Sequence, residues 1–372
     1  MRKGVVIVGY YGANNTGDEA ILTGMIHALK AQGITDITVL SRDPEQTRKI
    51  HGVNSIYIGR RFDGLIEIFH KMRKSKLFIL GGGGLLQDYS RRVVPYWLSR
   101  VLLALLARTP VMYYAQGIGP LRTKEAKRLV RLISNRVKWI TVRDEESLSL
   151  LQELGVFKPR MEVTADPALG IKVTSNGLDL LRQAGIILDP RKIKVGISLR
   201  SWKGEESYLP VLIQALQRLK EEYDVQYIFF PFQFGEDEGI SQKVMEAVEA
   251  EDACLLKGTY TPEQVAAMLK EMDGVIAMRL HAVILSAVSF VPSFGLIYDP
   301  KVLRFMERAG IAAYSVSLER MQEKEEAFNK QLVDWLAARQ QISEQMEPRV
   351  EAMMRLSLRS AEIAKQLMND FQ

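Results

Sequence analysis

The sequence predicts an α/β protein built from two domains, each with a parallel sheet. Its 372 residues exceed the length of one typical domain and suit two. Short runs of β-branched residues alternate with longer amphipathic runs, which is typical of parallel strands joined by crossover helices. This alternation breaks at residues 168–191 and then starts again. Two such halves imply a cleft between them, faced by the carboxyl ends of the strands.

The first half reads as seven strands with helices between most of them. The predicted strands are the short apolar runs Val5–Val8, Asp36–Leu40, Ser55–Ile58, Leu77–Leu80, Val111–Ala115, Trp139–Val142 and Met161–Thr164. The predicted helices are the amphipathic runs Asp18–Gln32, Phe62–Lys74, Tyr96–Arg108, Lys124–Val137 and Glu145–Leu154. A helix between consecutive strands is the connection that a parallel sheet requires.

The second half repeats this pattern. Strands are predicted at Lys194–Leu199, Val225–Phe230, Ala253–Leu256, Gly274–Ala277 and Ser293–Ile297, and helices at Tyr208–Glu221, Asp237–Ala250, Pro262–Glu271 and Ala282–Phe290. From about Met321 the chain reads as charged helix. Its apolar residues near helical spacing predict a face that packs back on a domain: Met353, Leu356, Ile363, Leu367 and Phe371. We expect domains at 1–170 and 193–345, a linker region with one short helix at 171–192, and a C-terminal helix at 346–372.

The composition is that of an ordinary globular protein, with 47% apolar and 25% charged residues. The single cysteine, Cys254, excludes an internal disulfide framework and fits a reducing compartment. The opening apolar run is too short for a signal peptide. Tyr96–Ala107, broken by Arg100, is too short to span a bilayer, which takes about 20 residues. These features lead us to expect a cytoplasmic protein.

Lysines and arginines crowd into one part of the first half. They are Arg91, Arg92, Arg100, Arg108, Arg122, Lys124, Lys127, Arg128, Arg131, Arg136 and Lys138. Such a stretch suits nucleic acid, an anionic membrane surface or an anionic substrate, and it also suits a solvated helix face. Nucleic acid is the weakest of these, since no signature of a recognition module accompanies the charge.

The loop after the first predicted strand is rich in glycine and asparagine. Gly12 and Gly17 have the outer spacing of a P-loop, but two carboxylates follow Gly17 where a P-loop needs Lys and Ser or Thr. We therefore reject a Walker nucleotide site, and the missing G-x-G-x-x-G argues against a dinucleotide site. The backbone of this loop can still approach a ligand, although Asp18 can equally be a plain N-cap.

Two more glycine-rich turns are predicted after strands. Gly81–Gly84 is followed by Gln87 and Asp88, and Gln116–Pro120 follows the next strand. Four consecutive glycines are entropically costly, so we expect this backbone to pass close to another backbone or to a ligand. Three such turns on one rim indicate a ligand cleft.

Basic side chains also follow predicted strands. Arg279 ends one strand and offers a fork of donors to phosphate or carboxylate. His281 opens the next helix, where free N–H groups and the dipole favour anions, and it can transfer protons near neutrality. Arg143, Arg200 and Lys301 hold similar positions, the last of them after a helix start at Asp299-Pro300.

This set of four permanent cations and one base predicts a site for a compact polyanion that carries both phosphate and carboxylate. The sequence has no metal-ligand cluster. Structural alternatives stay open at three positions. His281 can be a histidine packed in a core, Arg143 can pair with neighbouring carboxylates, and Lys301 can swing into solvent.

These residues give the chain its resemblance to the polysaccharide pyruvyl transferase family, and within it to the cell-wall ketal-pyruvyltransferase (CsaB) group. The resemblance covers nearly the whole chain, and its motifs are specific together rather than singly. They are Gly9–Ala20, the Gly81–Gly84 run with Leu85–Asp88, Gln116–Pro120, Val142–Ser147, Ala165–Pro167 and Arg279–Ala282.

The resemblance implies two Rossmann-like domains in a glycosyltransferase-B-like fold. It implies transfer of pyruvate from phosphoenolpyruvate (PEP) to a sugar as a 4,6-ketal with release of phosphate. We expect no cofactor and no metal. The acceptor in this group is N-acetylmannosamine (ManNAc) in a lipid-diphosphate-linked precursor of a secondary cell-wall polymer, which S-layer homology domains bind. We therefore expect the protein at the inner face of the cell membrane, held there through the basic stretch. The oligomeric state is left open.

The family's PEP-handling residues match Arg279 and His281, and Arg143 and Lys301 look like the remaining anion contacts. Leu280 and Arg200 complete the expected PEP site, and the expected acceptor contacts are Asn14, Asn15, Asp18, Gly82, Gly83 and Gln87. We expect His281 to act as general acid and base while the cations offset charge on the departing phosphate. Two alternatives stay open: a glycosyltransferase that uses a nucleotide sugar, and a non-catalytic module that binds a sugar or phosphate.

Overall fold

The computed structural model describes residues 2–59, 64–250 and 252–370. The chain divides into two compact units. The first comprises Met1–Ala13, Asp18–Ile171 and Met353–Gln372, and the second comprises Asn14–Gly17 and Lys172–Ala352. A four-residue segment of the first loop thus belongs to the second unit, and the end of the chain belongs to the first.

The first unit is built on a parallel sheet of eight strands. Its elements, in chain order, are β1 (Val5–Val8), α1 (Thr16–Ala31), β2 (Ile37–Ser41), α2 (Pro44–His51), β3 (Asn54–Tyr57), α3 (Leu65–Lys74), β4 (Leu77–Leu80), β5 (Gly83–Leu86), α4 (Val93–Leu106), β6 (Val111–Ile118), α5 (Lys124–Ser134), β7 (Trp139–Val142), α6 (Glu145–Glu153) and β8 (Arg160–Val163). The strand order is β3-β2-β1-β4-β6-β7-β8, with β5 paired to β6.

Helices cover both faces of this sheet. Every residue of β1 and β4 is buried, as is typical of parallel strands with helices on either side. One apolar cluster joins the sheet to α3, α4, α5 and α6. The other joins it to α1 and to Ala361, Ile363, Ala364 and Leu367, which lie near the end of the chain.

The second unit has a six-stranded parallel sheet. Its elements are α7 (Gly177–Gln183), β9 (Ile193–Ser198), α8 (Glu205–Glu222), β10 (Val225–Phe229), α9 (Asp237–Ala247), β11 (Cys254–Leu255), α10 (Pro262–Lys270), β12 (Gly274–Ala277), α11 (Leu280–Ala287), β13 (Ser293–Ile297), α12 (Pro300–Ala309), β14 (Ser315–Ser317), α13 (Leu318–Met321), α14 (Glu325–Ala337) and the start of α15 (Arg339–Asp370). The strand order is β11-β10-β9-β12-β13-β14. The order therefore reverses between β9 and β12, the kind of point at which open α/β sheets bind ligands.

The predicted fold class is confirmed: both sheets are parallel and Rossmann-like, and helices alternate with strands. The strands β1, β4, β7, β12 and β13 have the predicted limits. The helix expected at Phe62–Lys74 begins outside the described residues, and α3 is described from Leu65. Phe371 also lies outside the described residues. The prediction for Leu356 is wrong, since 41% of this residue is exposed, whereas Met353, Ile363 and Leu367 are buried.

Two glycine-rich stretches predicted as turns are partly strand. Gly83 and Gly84 open β5, which pairs with β6. β6 itself continues through Gln116 to Ile118, past a bulge at Ala115 where φ is 46°. A bulge lets one extra residue fit into a strand without ending it. The prediction that the strand ends at Ala115, before the glycines, is therefore wrong.

Candidate functional site

Arg279 lies at the point where the strand order of the second sheet reverses. The backbone N–H of Met278 continues the pairing with β9 by donating to the Ser198 carbonyl at 2.8 Å, and Arg279 is then the N-cap residue of α11. Its guanidinium forms a two-pronged ion pair with Asp237, in which Nε donates to Oδ2 at 3.0 Å and Nη2 donates to Oδ1. Such a fork fixes the plane of the guanidinium as well as its position.

Asp237, the first residue of α9, is the centre of this arrangement. Only 1% of it is exposed, and its Oδ2 also accepts the backbone N–H groups of Phe232 at 3.1 Å and Gln233 at 2.9 Å. A buried carboxylate needs such a set of donors to offset its lost hydration. Sequence reasoning placed Asp237 only at a helix start, because its partner Arg279 lies 42 residues away along the chain.

The loop that carries Asp237 also holds the segment Asn14–Gly17. Thr16 N–H donates to the Phe232 carbonyl at 2.8 Å, and the side chain of Asn15 donates to Gln233 Oε1 at 2.6 Å. Phe234 N–H in turn donates to the Asn14 carbonyl at 3.1 Å. The two asparagines, expected to contact the acceptor, thus help to fasten this segment; the acceptor role stays a prediction.

His281 is the second residue of α11 and is half-buried, with its Nε2 atom shielded from solvent. Gly17 lies directly against the imidazole, since a Cβ added there would sit 2.3 Å from Nδ1 and 2.7 Å from Cγ. Only glycine lets the backbone approach this closely. The motif spacing of Gly12 and Gly17 therefore has a structural explanation at Gly17 that is independent of any P-loop. Leu280, between Arg279 and His281, is buried.

Two more predicted cations, Arg200 and Lys301, lie beside a pair of aromatic rings. The Arg200 guanidinium is 4.9 Å from the Tyr298 ring centroid and 5.3 Å from that of Trp202, and its Nη1 donates to the Tyr298 hydroxyl at 3.2 Å. Lys301 Nζ is 3.3 Å from Asp299 Oδ2, and Asp299 caps α12 as predicted. The carboxylate of Asp299 offsets the unfavourable position of a cation in a first helical turn.

The second sheet thus carries three of the predicted cations on neighbouring strands. Arg200 follows β9, Arg279 follows β12 and Lys301 lies after β13, and these strands are adjacent in that order. Parallel strands end at the same edge, so the three side chains and His281 belong to one edge of the sheet.

Arg143, in the first unit, is buried between two carboxylates. Its Nη1 donates to Asp166 Oδ2 at 3.0 Å, and its Nε lies 3.6 Å from Asp144 Oδ2. The guanidinium also covers Gly117, where an added Cβ would sit 2.7 Å from Nη2. The pairing that the sequence left open is present, and an anion-binding role for Arg143 stays a prediction.

The glycines of Gly81–Gly84 pack against neighbouring side chains of the first unit. A Cβ on Gly81 would sit 2.1 Å from the hydroxyl of Tyr11, and one on Gly82 would sit 2.8 Å from Ile21. The buried side chain of Gln87 covers Gly84 in the same way. The close approach predicted for this run is therefore to protein groups. Contacts of Gly82, Gly83 and Gln87 with an acceptor stay predictions.

The start of α1 carries two carboxylates with different surroundings. The helix begins at Thr16, so Asp18 lies within its first turn and is not the N-cap that the sequence allowed. Glu19 is buried, accepts the backbone N–H of Gly12 at 2.7 Å and lies 2.7 Å from Nε2 of His51. Burial, followed by the charges of Asp18 and Glu19, raises the pKa of Tyr11 well above its ordinary value.

Asp88, at the edge of the glycine run, fastens the chain entering α5. Its Oδ2 accepts three hydrogen bonds, from the backbone N–H groups of Arg122 and Thr123 and from the Thr123 hydroxyl, at 2.7, 2.7 and 2.9 Å. Burial pushes its pKa upward, but the hydrogen bonds from Thr123 and Arg122 outweigh burial and lower the pKa below its ordinary value. Asp88 therefore has a structural role.

No group of three or more His, Cys, Asp and Glu side chains within residues 2–59, 64–250 and 252–370 is arranged to hold a metal ion. In the same ranges, no helix is both long and apolar enough to cross a membrane.

Comparison with known proteins decides the family. The family model for polysaccharide pyruvyl transferase matches residues 15–300, which include the edge of the second sheet with Arg279 and His281. The chain belongs to the polysaccharide pyruvyl transferase family. This polysaccharide pyruvyltransferase is also similar to the amylovoran biosynthesis protein AmsJ of Erwinia amylovora, with 20% identity over 82% of the chain and 86% of AmsJ.

Solved structures similar to the pyruvyltransferase share its fold at low identity. MnaA of S. aureus, in a co-structure with UDP, has a TM-score of 0.65 and 12% identity over 97% of this chain and 95% of MnaA. A putative UDP-N-acetylglucosamine 2-epimerase of Listeria monocytogenes has a TM-score of 0.67 and 10% identity over 97% and 94% of the two chains. HepE of Anabaena, in complex with UDP-glucose, has a TM-score of 0.62 and 14% identity over 99% and 98%. These matches support the glycosyltransferase-B-like class and carry no further argument about function.

Proposed function

We propose that this pyruvyltransferase takes pyruvate from PEP and transfers it to a saccharide as a 4,6-ketal, releasing phosphate. We further propose ManNAc of a lipid-diphosphate-linked precursor of a secondary cell-wall polymer as the acceptor, which assigns the reaction to the inner face of the cell membrane. The observation that carries the choice of donor is the cationic edge of the second sheet, where Arg200, Arg279 and Lys301 follow three adjacent strands beside His281.

PEP matches this edge because it carries two anionic groups, a phosphate and a carboxylate, within one small molecule. The side chain of Arg279 is 13% exposed, and its Nε and Nη2 each donate one hydrogen bond to Asp237. A guanidinium has five N–H donors, so the edge turned away from Asp237 can still bind an anion. In the proposal Asp237 positions Arg279, and Lys301 and Arg200 supply the further positive charge that PEP requires.

His281 is the proposed general acid and base. Forming the ketal breaks the bond between C2 of PEP and the phosphate oxygen and makes two bonds from C2 to sugar oxygens. Two hydroxyl protons are released; one ends on the methylene carbon, which becomes a methyl group, and the other leaves with phosphate. A histidine next to the cations proposed to bind phosphate is suited to move these protons, because an unperturbed imidazole exchanges protons near neutral pH.

The acceptor assignment rests on the motifs shared with the cell-wall ketal-pyruvyltransferase group rather than on contacts of particular side chains. Arg143 in the first unit keeps its predicted role as an anion contact. The predicted acceptor contacts are Asn14, Asn15, Asp18, Gly82, Gly83 and Gln87. Each of these roles is a prediction from the sequence.

Product analysis with defined donors tests the proposal. The purified protein is incubated with PEP and a ManNAc-containing lipid-diphosphate analogue, and in parallel with UDP-sugars and the same acceptor. We expect phosphate release that depends on the acceptor, and a new ketal methyl signal in the proton NMR spectrum of the product. Use of a UDP-sugar without phosphate release from PEP would show a glycosyltransferase instead, and binding without turnover would show a non-catalytic module. Varying the acceptor sugar tests the ManNAc assignment separately.

A further inference from the structure

The outer face of α4 is exposed and, apart from one serine, apolar. Residues Pro95, Ser99, Leu102 and Leu106 recur at helical spacing and all are exposed, with 43% of Leu102 and 66% of Leu106 accessible. The inner face of the same helix is buried in the core of the first unit, so the helix is anchored while this stripe faces outward. Leu102 and Leu106 are one helical turn apart, so their exposed side chains are neighbours on this face.

The neighbouring helix α5 adds positive charge. Lys124, Lys127, Arg128 and Arg131 are all exposed, and Leu132, with 51% of its surface accessible, lies among them. The stretch from Tyr89 to Lys138 contains eleven lysines and arginines and a single acidic residue, Glu125. Arg100 is the member of this set that is buried, with its guanidinium 4.0 Å from the Tyr96 ring. The other ten are exposed.

We propose that these two helices form a docking surface for an anionic lipid bilayer. The surface, called here the α4–α5 face, consists of Leu102, Leu106 and Leu132 together with Lys124, Lys127, Arg128 and Arg131. The leucines enter the boundary between headgroups and acyl chains, and the basic side chains bind the lipid phosphates. The proposal goes beyond the chemistry of pyruvyl transfer and rests on the proposed function only for its purpose, which is to bring the enzyme to a lipid-linked acceptor.

The combination of features selects a bilayer rather than another anionic partner. A nucleic acid would gain from the basic residues but not from exposed leucines, because its surface is dominated by phosphate and base edges. A solvated helix face would explain the charges but not the apolar stripe on α4 beside them. A bilayer with anionic headgroups complements both parts at once, and binding of this kind weakens with salt.

Vesicle co-sedimentation of the full chain tests the proposal. The probes are vesicles of phosphatidylglycerol with phosphatidylcholine and vesicles of phosphatidylcholine alone, at low and at high salt. We expect binding to the anionic vesicles at low salt, at least tenfold weaker binding to the neutral ones, and loss of binding at high salt. Equal binding to both vesicle types, or none to either, would overturn the proposal.

Two variants and one matched control locate the surface. The variant K124Q/K127Q/R128Q/R131Q should weaken binding at least tenfold, because it removes four of the basic side chains that bind the lipid phosphates. The variant L102S/L106S should weaken binding severalfold without changing charge. The control K30Q/K49Q/R73Q/K74Q removes the same charge from exposed positions on α1, α2 and α3 and should bind like wild type.

The outcomes separate this proposal from the reaction itself. Equal losses in the control and the α4–α5 variant would show a response to net charge alone and would refute the docking surface. Loss of binding in K124Q/K127Q/R128Q/R131Q with unchanged turnover of a soluble acceptor analogue supports it. Vesicle binding needs no PEP, so failure of the proposed reaction leaves this result interpretable. Far-UV circular dichroism and the thermal midpoint of each variant check that the fold is intact.

Discussion

The substitution Asp237→Asn tests whether the buried carboxylate positions Arg279. Asp237 accepts two bonds from the Arg279 guanidinium and two from the backbone N–H groups of Phe232 and Gln233. Asparagine has the same shape but only one acceptor oxygen, and its amide N–H₂ must face some of these donors. The change therefore removes the negative charge and sets donor against donor without altering the volume.

The loss of stability expected for D237N follows from the burial of the ion pair. Asp237 is 1% exposed and the Arg279 side chain 13%, so little solvent screens the pair. Removing one partner of a buried pair costs about 3–5 kcal/mol, because the other charge is left uncompensated. We take the lower end, about 3 kcal/mol, since Arg279 keeps partial access to water. A guanidinium that is no longer held in plane should also bind PEP less well, and we expect kcat/KM for PEP to fall about 100-fold, or about 2.7 kcal/mol.

Two assays measure these effects. Urea unfolding gives the free energy of unfolding of wild type and D237N, and steady-state phosphate release gives KM and kcat for PEP. E236Q is the matched control, because it removes the same charge from an exposed residue one position earlier at the same helix terminus. The double variant D237N/R279Q closes a thermodynamic cycle, and we expect its stability loss to fall short of the sum of the single losses by at least about 1 kcal/mol.

Three results would refute this reasoning. The first is a urea midpoint of D237N equal to that of wild type. The second is a KM of D237N for PEP equal to that of E236Q. The third is a loss of unfolding free energy in the double variant equal to the sum of the losses in the two single variants. Any of these would mean that the contact between Asp237 and Arg279 does not set the position of the guanidinium.

Further substitutions test the neighbouring features. His281→Gln should abolish transfer while leaving the thermal midpoint unchanged, and near-wild-type turnover would remove its acid–base role. Gly17→Ala should lower kcat at least tenfold, because its Cβ would meet His281 Nδ1 at 2.3 Å. Arg279→Lys keeps a charge but loses the fork, so KM for PEP, measured by steady-state phosphate release, should rise at least tenfold. Asp88→Asn should cost about 1–3 kcal/mol near pH 7. The pKa of Asp88 is lowered in the folded state, so the stability that its ionised carboxylate contributes is present above the unfolded pKa of about 3.9 and is lost as pH falls through the folded pKa. Urea unfolding at falling pH should therefore show the difference in unfolding free energy between wild type and D88N becoming smaller. A constant gap down to pH 2 would contradict it.

The sequence predicts the sheets of this protein better than its small elements. Central strands such as β4 and β12 are continuous apolar runs, because helices bury both of their faces. The helix α2 was missed because Pro44–His51 is almost entirely polar and its buried residues, Thr47 and His51, give no apolar stripe. The strand β14 was missed for a related reason, since its three residues are only half-buried.

The site residues are also only partly predictable from the sequence. The end of a strand can be recognised in the sequence, so the sequence places Arg200, Arg279 and Lys301 at the edge of one sheet. The sequence allows Arg143 to pair with a neighbouring carboxylate, but it does not show carboxylate partners that lie far away along the chain, because the fold brings them together. Asp237 lies 42 residues from Arg279, and Asp166 lies 23 residues from Arg143. A fork of donors at a strand end therefore suggests an anion site, and the structure shows that Asp237 and Asp166 already bind part of the forks of Arg279 and Arg143.

The glycine motifs show a similar limit of prediction from the sequence. The sequence predicts that the loop with Gly17 approaches a ligand and that the Gly81–Gly84 run approaches another backbone or a ligand. In the structure the groups nearest to Gly17 and Gly81 are the side chains of His281 and Tyr11. The requirement for glycine is a requirement for space, and the sequence does not say whether a ligand or a side chain fills it.

The most direct test of the central claim is the stoichiometry of the reaction in wild type and in H281Q. Phosphate released from PEP and ketal formed on the acceptor are measured in the same sample over time. We expect one phosphate for each ketal with wild type, no release without acceptor, and neither product with H281Q. Phosphate release without ketal, ketal formation from a donor other than PEP, or unchanged yields with H281Q would contradict the proposed reaction and the role of its histidine.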